Sequence, residues 1–140
     1  MPTPGRFCSL VVLSSALIVG CVATPDDVVR LSADHALVQR SQHGLVEATV
    51  ALESGELKRG PNDLSITLHA PRSSEPGTLN GVDAFMAAHG HHASAESIVA
   101  DGDAFHASNL DLFMSGRWQI ALEVELDAES DVIEFALDVP

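Results

Sequence analysis

The amino-acid sequence predicts an antiparallel β-sandwich of about seven strands in a single domain. Short segments that alternate apolar and polar residues recur at spacings of roughly ten residues from about residue 44 to the C terminus. Turn-forming residues separate these segments, and no long stretch has the period of a helix. One segment carries the only tryptophan of the chain at an inward position. These features are typical of an all-β fold with two packed sheets.

The first 20 residues are expected to form a signal peptide that is no part of the fold. Residues 7–19, FCSLVVLSSALIV, are apolar, follow Arg6, and fall short of the ~20 residues that a membrane-spanning helix requires. The sequence Ile18-Val19-Gly20-Cys21 resembles the lipobox of bacterial lipoproteins, in which the cysteine is lipidated and becomes the new N terminus. The resemblance implies lipidation of Cys21. An ordinary signal peptide is the alternative, but it would leave an unpaired cysteine in an exported protein.

A lipobox implies a lipid-anchored protein of the cell envelope, with the membrane as a partner through the N-terminal lipid. In a Gram-negative host the protein would lie on the periplasmic side of the outer membrane, because Val22 rather than Asp follows the cysteine. Cys8 leaves with the signal peptide, so the mature domain has no pair of cysteines for a disulfide. Core packing alone is expected to hold the domain together.

The charge balance excludes one class of partner. The chain has 20 Asp and Glu against 7 Lys and Arg, which gives a formal net charge of −13. Nucleic acid is not expected to bind, because phosphate contacts require clustered basic residues. An enzyme is not expected either, since the chain has no recognisable nucleophile elbow, cysteine nucleophile with a base, or phosphate-binding loop.

Residues 21–43 are expected to be either a tether or a short helix. Asp26 or Asp27 would stand near the N terminus of such a helix, where negative charge is favourable. The sequence pattern of residues 21–43 does not distinguish between a tether and a short helix. The domain itself is expected to span residues 44–140.

Period-two alternation begins after Gly44. Residues 45–52 and 63–70 are predicted strands separated by turn-like residues, and in the second strand Leu64, Ile66 and Leu68 share one face. His69 is predicted to point outward. A loop rich in proline, serine and glycine begins at Pro71.

The remaining strands are predicted at residues 78–86, 94–100, 104–113, 117–126 and 131–139. In the strand predicted at residues 104–113, Phe105, Ala107 and Asn109 are expected to alternate with His106, Ser108 and Leu110. Ser115 and Gly116 are expected to form a tight turn that closes a hairpin over residues 113–118. Strand 117–126 has the cleanest alternation, and its inward residues are predicted to be Trp118, Ile120, Leu122, Val124 and Leu126.

A cluster of metal-ligand side chains lies between two of these strands, in residues 85–93, FMAAHGHHA. Met86, His89, His91 and His92 supply one thioether and three imidazoles, which suit copper; imidazole also suits zinc or nickel. A transition-metal site is one hypothesis. A polar loop with solvated histidines is the other, because a short histidine-rich tract is only a compositional signal.

Three segments together resemble the YtkA-like domain, an immunoglobulin-like β-sandwich of exported bacterial proteins. They are KRGPNDLSITL, FMAAHGHH and NLDLFMSGRWQIALEV, and the likeness covers about residues 58–126. The family's Met-His-Gly-His positions fall on Met86, His89, Gly90 and His91, while Ala87 stands where the family often has proline. Its second motif falls on Phe113, Met114, Gly116 and Trp118. The resemblance implies the immunoglobulin-like sandwich and suggests a role with copper.

The expected ligands are His89 and His91, which would share a face if the segment is extended. Met86 and Met114 would join them if the segment 113–118 lies at the same end of the sandwich. His92 lies outside the motif and is either a surplus ligand or a solvated histidine, and His106 is a second-rank candidate ligand. Histidine with methionine favours Cu(I), whereas histidine with carboxylate or water favours Cu(II) or Zn(II).

Each candidate also has a structural interpretation. The methionines could fill gaps in the core, and the two histidines could fix the loop through hydrogen bonds to backbone carbonyls. Two functions therefore stay open: a lipid-anchored module that binds copper for storage or delivery, and a metal-free module that contacts a protein partner in a cell-envelope assembly. No cofactor other than copper is expected.

Overall fold

The computed structural model describes residues 28–140, which form a two-layer β-sandwich without a helix. The predicted signal peptide and Cys21 lie outside the described residues. No helix that could cross a membrane occurs within residues 28–140. The ten strands are β1 Val28–Val29, β2 Leu37–Arg40, β3 Glu47–Leu52, β4 Gly60–His69, β5 Thr78–Met86, β6 His91–Ser94, β7 Ser97–Asp101, β8 Ala104–Leu112, β9 Gly116–Leu126 and β10 Glu129–Val139.

The strands form two sheets of five strands each. Sheet A has the order β1-β10-β9-β5-β6, and sheet B has the order β2-β3-β4-β8-β7. Every pairing is antiparallel except that of the short strand β1, which runs parallel to β10. The chain passes from one sheet to the other at β1–β2, β4–β5, β6–β7 and β8–β9. The all-β sandwich predicted from the sequence is confirmed, with ten strands in place of about seven.

One hydrophobic core fills the space between the sheets, because alternate residues of both sheets point inward. Strand β9 follows its predicted pattern, and all five of its predicted inward residues are buried. Trp118 is the largest fully buried side chain, with 0% of its surface exposed. Each large apolar side chain buried in this way contributes about 1.5–3 kcal/mol to stability. Residues 28–140 contain no cysteine and therefore no disulfide, so this packing is the main source of stability of the fold.

The prediction of a tether or short helix for residues 21–43 is wrong for the part that the structure describes. Residues 28–43 contain β1 and β2, and both strands belong to the sheets. In β2, Leu37 and Gln39 are buried while Val38 and Arg40 are exposed. The strand is too short for this alternation to stand out in the sequence, and Leu31 joins the core from the preceding loop. The sandwich therefore begins before residue 44.

The predicted strand 94–100 is in fact two strands in different sheets. Strand β6 ends at Ser94 in sheet A, and β7 begins at Ser97 in sheet B. The two residues between them carry the chain across the sandwich, with the Ala95 amide donating to the Val82 carbonyl and the Glu96 amide to the Ser108 carbonyl, both at 2.9 Å. Neither Pro nor Gly marks this crossing, so the sequence pattern did not indicate it.

The alternation predicted for residues 104–113 breaks at Asn109, which does not share a face with Phe105 and Ala107. Asn109 is exposed and has a φ of 55°, and the register between β4 and β8 shifts at this point. This β-bulge moves the inward face of β8 from Ala107 to Leu110. The Asn109 amide donates to Asp63 Oδ1 at 2.8 Å, which ties the bulge to β4.

Residues 113–118 do not form a hairpin, because β8 and β9 lie in different sheets. The segment 113–115 instead crosses from sheet B to sheet A. Gly116 then opens β9 with a φ of 122°, a conformation that favours glycine. This crossing brings Phe113 and Met114 to the end of the sandwich where β5 also ends.

Candidate metal centre

The β5–β6 hairpin presents the histidine cluster at one end of the sandwich. Its loop, residues 87–90, is closed by the Gly90 amide, which donates to the Met86 carbonyl at 2.9 Å. Gly90 has a φ of 65°, in the left-handed region that glycine adopts without strain. His89 therefore lies in the turn, and His91 is the first residue of β6 rather than a loop residue.

The hairpin register decides which side each histidine faces. Met86 is paired with His91 and Phe85 with His92, and directly opposite residues of an antiparallel pair share a face. His91 thus faces inward with Met86, whereas His92 faces outward, where its ring lies 4.5 Å from the Phe85 ring. His92 does not join the other two histidines, and its assignment as a ligand of the same site is wrong.

His89 and His91 are brought together. Their ring centroids are 6.0 Å apart, and the ring planes are tilted by 27°. Two imidazoles that bind one zinc or copper ion at ~2.0–2.1 Å have centroids roughly 5–6 Å apart. His89 is exposed and His91 is half-buried. The two rings are thus neighbours at the tip of the hairpin.

The β8–β9 crossing lies against this hairpin, as the sequence hypothesis required. The His91 ring contacts the edge of Phe113 at 5.1 Å, and Phe113 contacts Trp118 at 5.5 Å, both between ring centroids. Trp118 Nε1 donates to the carbonyl oxygen of Met114 at 2.9 Å, which fixes the backbone next to Phe113. The half-buried Met114 therefore lies at the same end of the sandwich as His91. The contact of Phe113 with His91 depends on the crossing between the sheets, which no local sequence pattern indicates.

Met86 is a core residue that also borders a cleft. Only 1% of its surface is exposed, and a Cβ added at Gly116 would lie 3.4 Å from the Met86 methyl group. A cleft of about 220 Å³ opens beside it, and its lining is mostly apolar. The lining residues are Met86, Ala87, Ala88, His89, Ser115, Gly116, Arg117 and Gln119. Met86 and His89 are thus both lining residues of this cleft.

His106 lies away from this site, so its assignment as a ligand there is wrong. It stands on the outer face of sheet B, because β8 points Phe105 and Ala107 inward. Its Nδ1 pairs with Glu53 Oε1, and its Nε2 is 3.9 Å from Asp101 Oδ2. The neighbouring carboxylates explain its orientation without a metal.

The donor set at the hairpin is small. Among residues 28–140 there is no group of three or more His, Cys, Asp or Glu that could hold a metal ion. The hairpin segment 84–95 carries no Asp, Glu, Lys or Arg. One chain therefore offers two imidazoles, with thioethers as the remaining donors close by.

At the opposite end, a buried carboxylate and an exposed histidine form a contact that the sequence pattern did not indicate. Asp131, with a side chain that is 0% exposed, accepts hydrogen bonds from the His43 amide at 3.0 Å and lies 2.9 Å from His43 Nδ1. Burial by itself raises the pKa of Asp131, but hydrogen bonds from Ser41, Val132 and His43 outweigh it and lower the pKa to about 2. The partner of His43 is 88 positions away in the chain, so no local sequence pattern indicated this contact.

Comparisons with known proteins add no further guide. No family model, curated protein or solved structure matches this chain. The function has to be argued from the site itself.

Proposed function

We propose that this chain is a lipid-anchored domain of the cell envelope that binds copper for storage or delivery. The observation that carries the proposal is the pair of imidazoles, His89 and His91, whose centroids lie 6.0 Å apart beside a cleft bordered by the Met86 thioether. Met114 lies in the crossing that contacts His91 through Phe113. Four residues with soft or borderline donors therefore belong to segments at one end of the sandwich, which supports the proposal.

The chemistry of these donors favours Cu(I). Thioethers are soft ligands that select Cu(I), and imidazole binds copper in either oxidation state. The cleft is mainly apolar, and no carboxylate lies in residues 84–95 to favour a harder ion. We assign His89 and His91 as the principal ligands, with Met86 and Met114 as thioether partners.

The cell-envelope location and the family belong to the same proposal. The lipobox-like Ile18-Val19-Gly20-Cys21 supports anchoring, and the net charge of −13 favours the approach of cations. The similarity to the YtkA-like domain rests on the quoted motifs and is compatible with the sandwich. It supports copper as the ion to test first.

A second candidate function is a metal-free interaction module of an envelope assembly. The observation in its favour is the packing of His91 on Phe113, which gives the histidine an architectural role without a metal. Phe113 and Phe85 are also 42% and 36% exposed, which leaves aromatic surface for a protein partner near the hairpin. Copper titration separates the two candidates.

The test is competition for Cu(I) between a chromophoric chelator and the full chain in mild detergent. All samples carry Cys8→Ser and Cys21→Ser, so that thiols do not bind the ion. We expect one Cu(I) per chain, lost in the double variant His89→Ala with His91→Ala and kept in His69→Ala, whose histidine is exposed on β4.

The dependence on pH gives a second readout. Imidazole binds metal only as the neutral base, so a histidine-dominated site loses affinity as the pH falls through about 6.5. Thioethers do not titrate, and a methionine-dominated Cu(I) site would keep much of its affinity at about pH 5. Equal copper binding by the parent and the double histidine variant would refute the proposed site.

A further inference from the structure

We propose that His89 and His91 form half of a divalent-metal site that a second copy of this chain completes. A zinc ion, or another divalent ion with the same preference for nitrogen, would then bridge two copies through four imidazoles. The inference rests on the histidine pair of the proposed function. It adds a second class of ion and a partner.

The number of ligands leads to this inference. A closed zinc site has four protein ligands in a tetrahedron. Residues 28–140 offer no group of three His, Cys, Asp or Glu, and thioether sulfur is a poor ligand for a divalent ion of this class. The pair His89 and His91 supplies two ligands, so two must come from outside the chain.

The hairpin is placed where a second copy can reach it. His89 is exposed in the turn, and β6 is the edge strand of sheet A. Within the described part of the chain, β6 pairs with β5 alone. A twofold axis through the hairpin tip would bring the same pair of histidines from each copy to one ion, as an isologous contact requires.

Electrostatic repulsion between two copies is expected to be weaker at the hairpin than over the rest of the surface. Two chains of net charge −13 repel each other over most of their surface. Residues 84–95 contain no Asp, Glu, Lys or Arg, and their only ionisable side chains are those of the three histidines. A divalent ion between the two hairpins adds positive charge between the copies and so offsets the repulsion.

The test is native mass spectrometry of the full chain, released from mild detergent, with zinc as the probe. Cys8→Ser and Cys21→Ser are present in every sample to remove thiol ligands. We expect a monomer without zinc and a dimer that holds one zinc ion when half an equivalent is added. The dimer should disappear in His89→Ala with His91→Ala and persist in His69→Ala.

The outcomes separate this inference from the proposed function. One zinc ion bound to a single chain, or a dimer fraction independent of zinc, overturns the bridge while a Cu(I) site in one chain still stands. A zinc-bound dimer in the double variant also overturns it. If neither zinc nor Cu(I) binds in a histidine-dependent way, the inference and the proposed function fail together.

Discussion

Trp118 is the residue at which the core meets the candidate metal centre. Its side chain is fully buried, its Nε1 donates to Met114, and its ring contacts Phe113. We predict that Trp118→Ala lowers the free energy of unfolding by about 3–5 kcal/mol, because it leaves a large cavity between the sheets. Urea unfolding followed by far-ultraviolet circular dichroism measures the loss.

Phe113→Ala is the matched control for this prediction. Phe113 is 42% exposed and loses mainly its edge contacts with Trp118 and His91, worth about 0.5–1.5 kcal/mol for an aromatic pair. If Trp118→Ala lowers the free energy of unfolding by no more than Phe113→Ala does, Trp118 is not a main contributor to the stability of the core. Native emission of the single tryptophan should also be blue-shifted and protected from quenching.

Asp131 provides a prediction about pH at the other end of the molecule. The ordinary pKa of its carboxyl is 3.8, and the folded value is about 2, so the unfolded chain binds the proton more tightly. This stabilisation is present above the ordinary value and is lost as the pH falls from about 4 toward 2. It amounts to about 2 kcal/mol.

The variant Asp131→Asn isolates this contribution from those of the other carboxyl groups. It should lose about 2 kcal/mol at neutral pH, because the buried amide donors of His43 and Val132 lose a charged acceptor. The difference in unfolding free energy between parent and variant should shrink below about pH 4. A difference that stays constant down to pH 2 would argue against a lowered pKa.

The side chains at the site show which residue-level features a sequence can predict. His89 and His91 were predicted as a pair from their spacing around Gly90, and they do lie together. His92 was not separable from them, because one position of register decides which face a strand residue occupies. The partners of His106 and Asp131 are 53 and 88 positions away in the chain, and no local pattern contains them.

At the scale of elements, long strands were predictable and crossings were not. Strand β9, with its eleven residues in regular alternation, matches the prediction closely. Strand β7 has five residues that are almost all exposed, so its sequence does not show the alternation of apolar and polar residues that indicates a half-buried strand. The Ser115-Gly116 pair resembled a hairpin turn, but whether a turn joins neighbours or crosses between sheets depends on long-range pairing.

The β5–β6 hairpin supplies a prediction at the element scale. Gly90 has a φ of 65°, so Gly90→Ala should cost about 1 kcal/mol or more and shift His89 relative to His91. Gly102→Ala is the matched control, because Gly102 has a φ of 62° in the turn between β7 and β8. Both variants should lose similar stability, and only Gly90→Ala should weaken Cu(I) binding. Equal copper affinity in the two variants would show that the hairpin conformation does not position the ligands.

At the scale of the whole molecule, the charge distribution is uneven in a way that matters for binding. The chain carries 20 acidic residues, yet the hairpin segment 84–95 has none. Cations are attracted to the molecule as a whole, while the candidate site itself offers imidazole and thioether rather than carboxylate. This combination favours soft and borderline metal ions over calcium or magnesium, which prefer oxygen ligands.

The N-terminal anchor would place this site close to a membrane. Six residues lie between Cys21 and Val28, the first residue of β1, so the seven Cα–Cα steps from Cys21 to Val28 can span at most ~25 Å. We predict that Cys21→Ala moves the protein out of the membrane fraction or blocks its processing, whereas Cys8→Ala leaves it at the membrane, because Cys8 would be removed with the signal peptide. Fractionation with immunodetection of the mature size measures both. A Cys21→Ala variant that stays at the membrane at its mature size would exclude lipid anchoring through this cysteine.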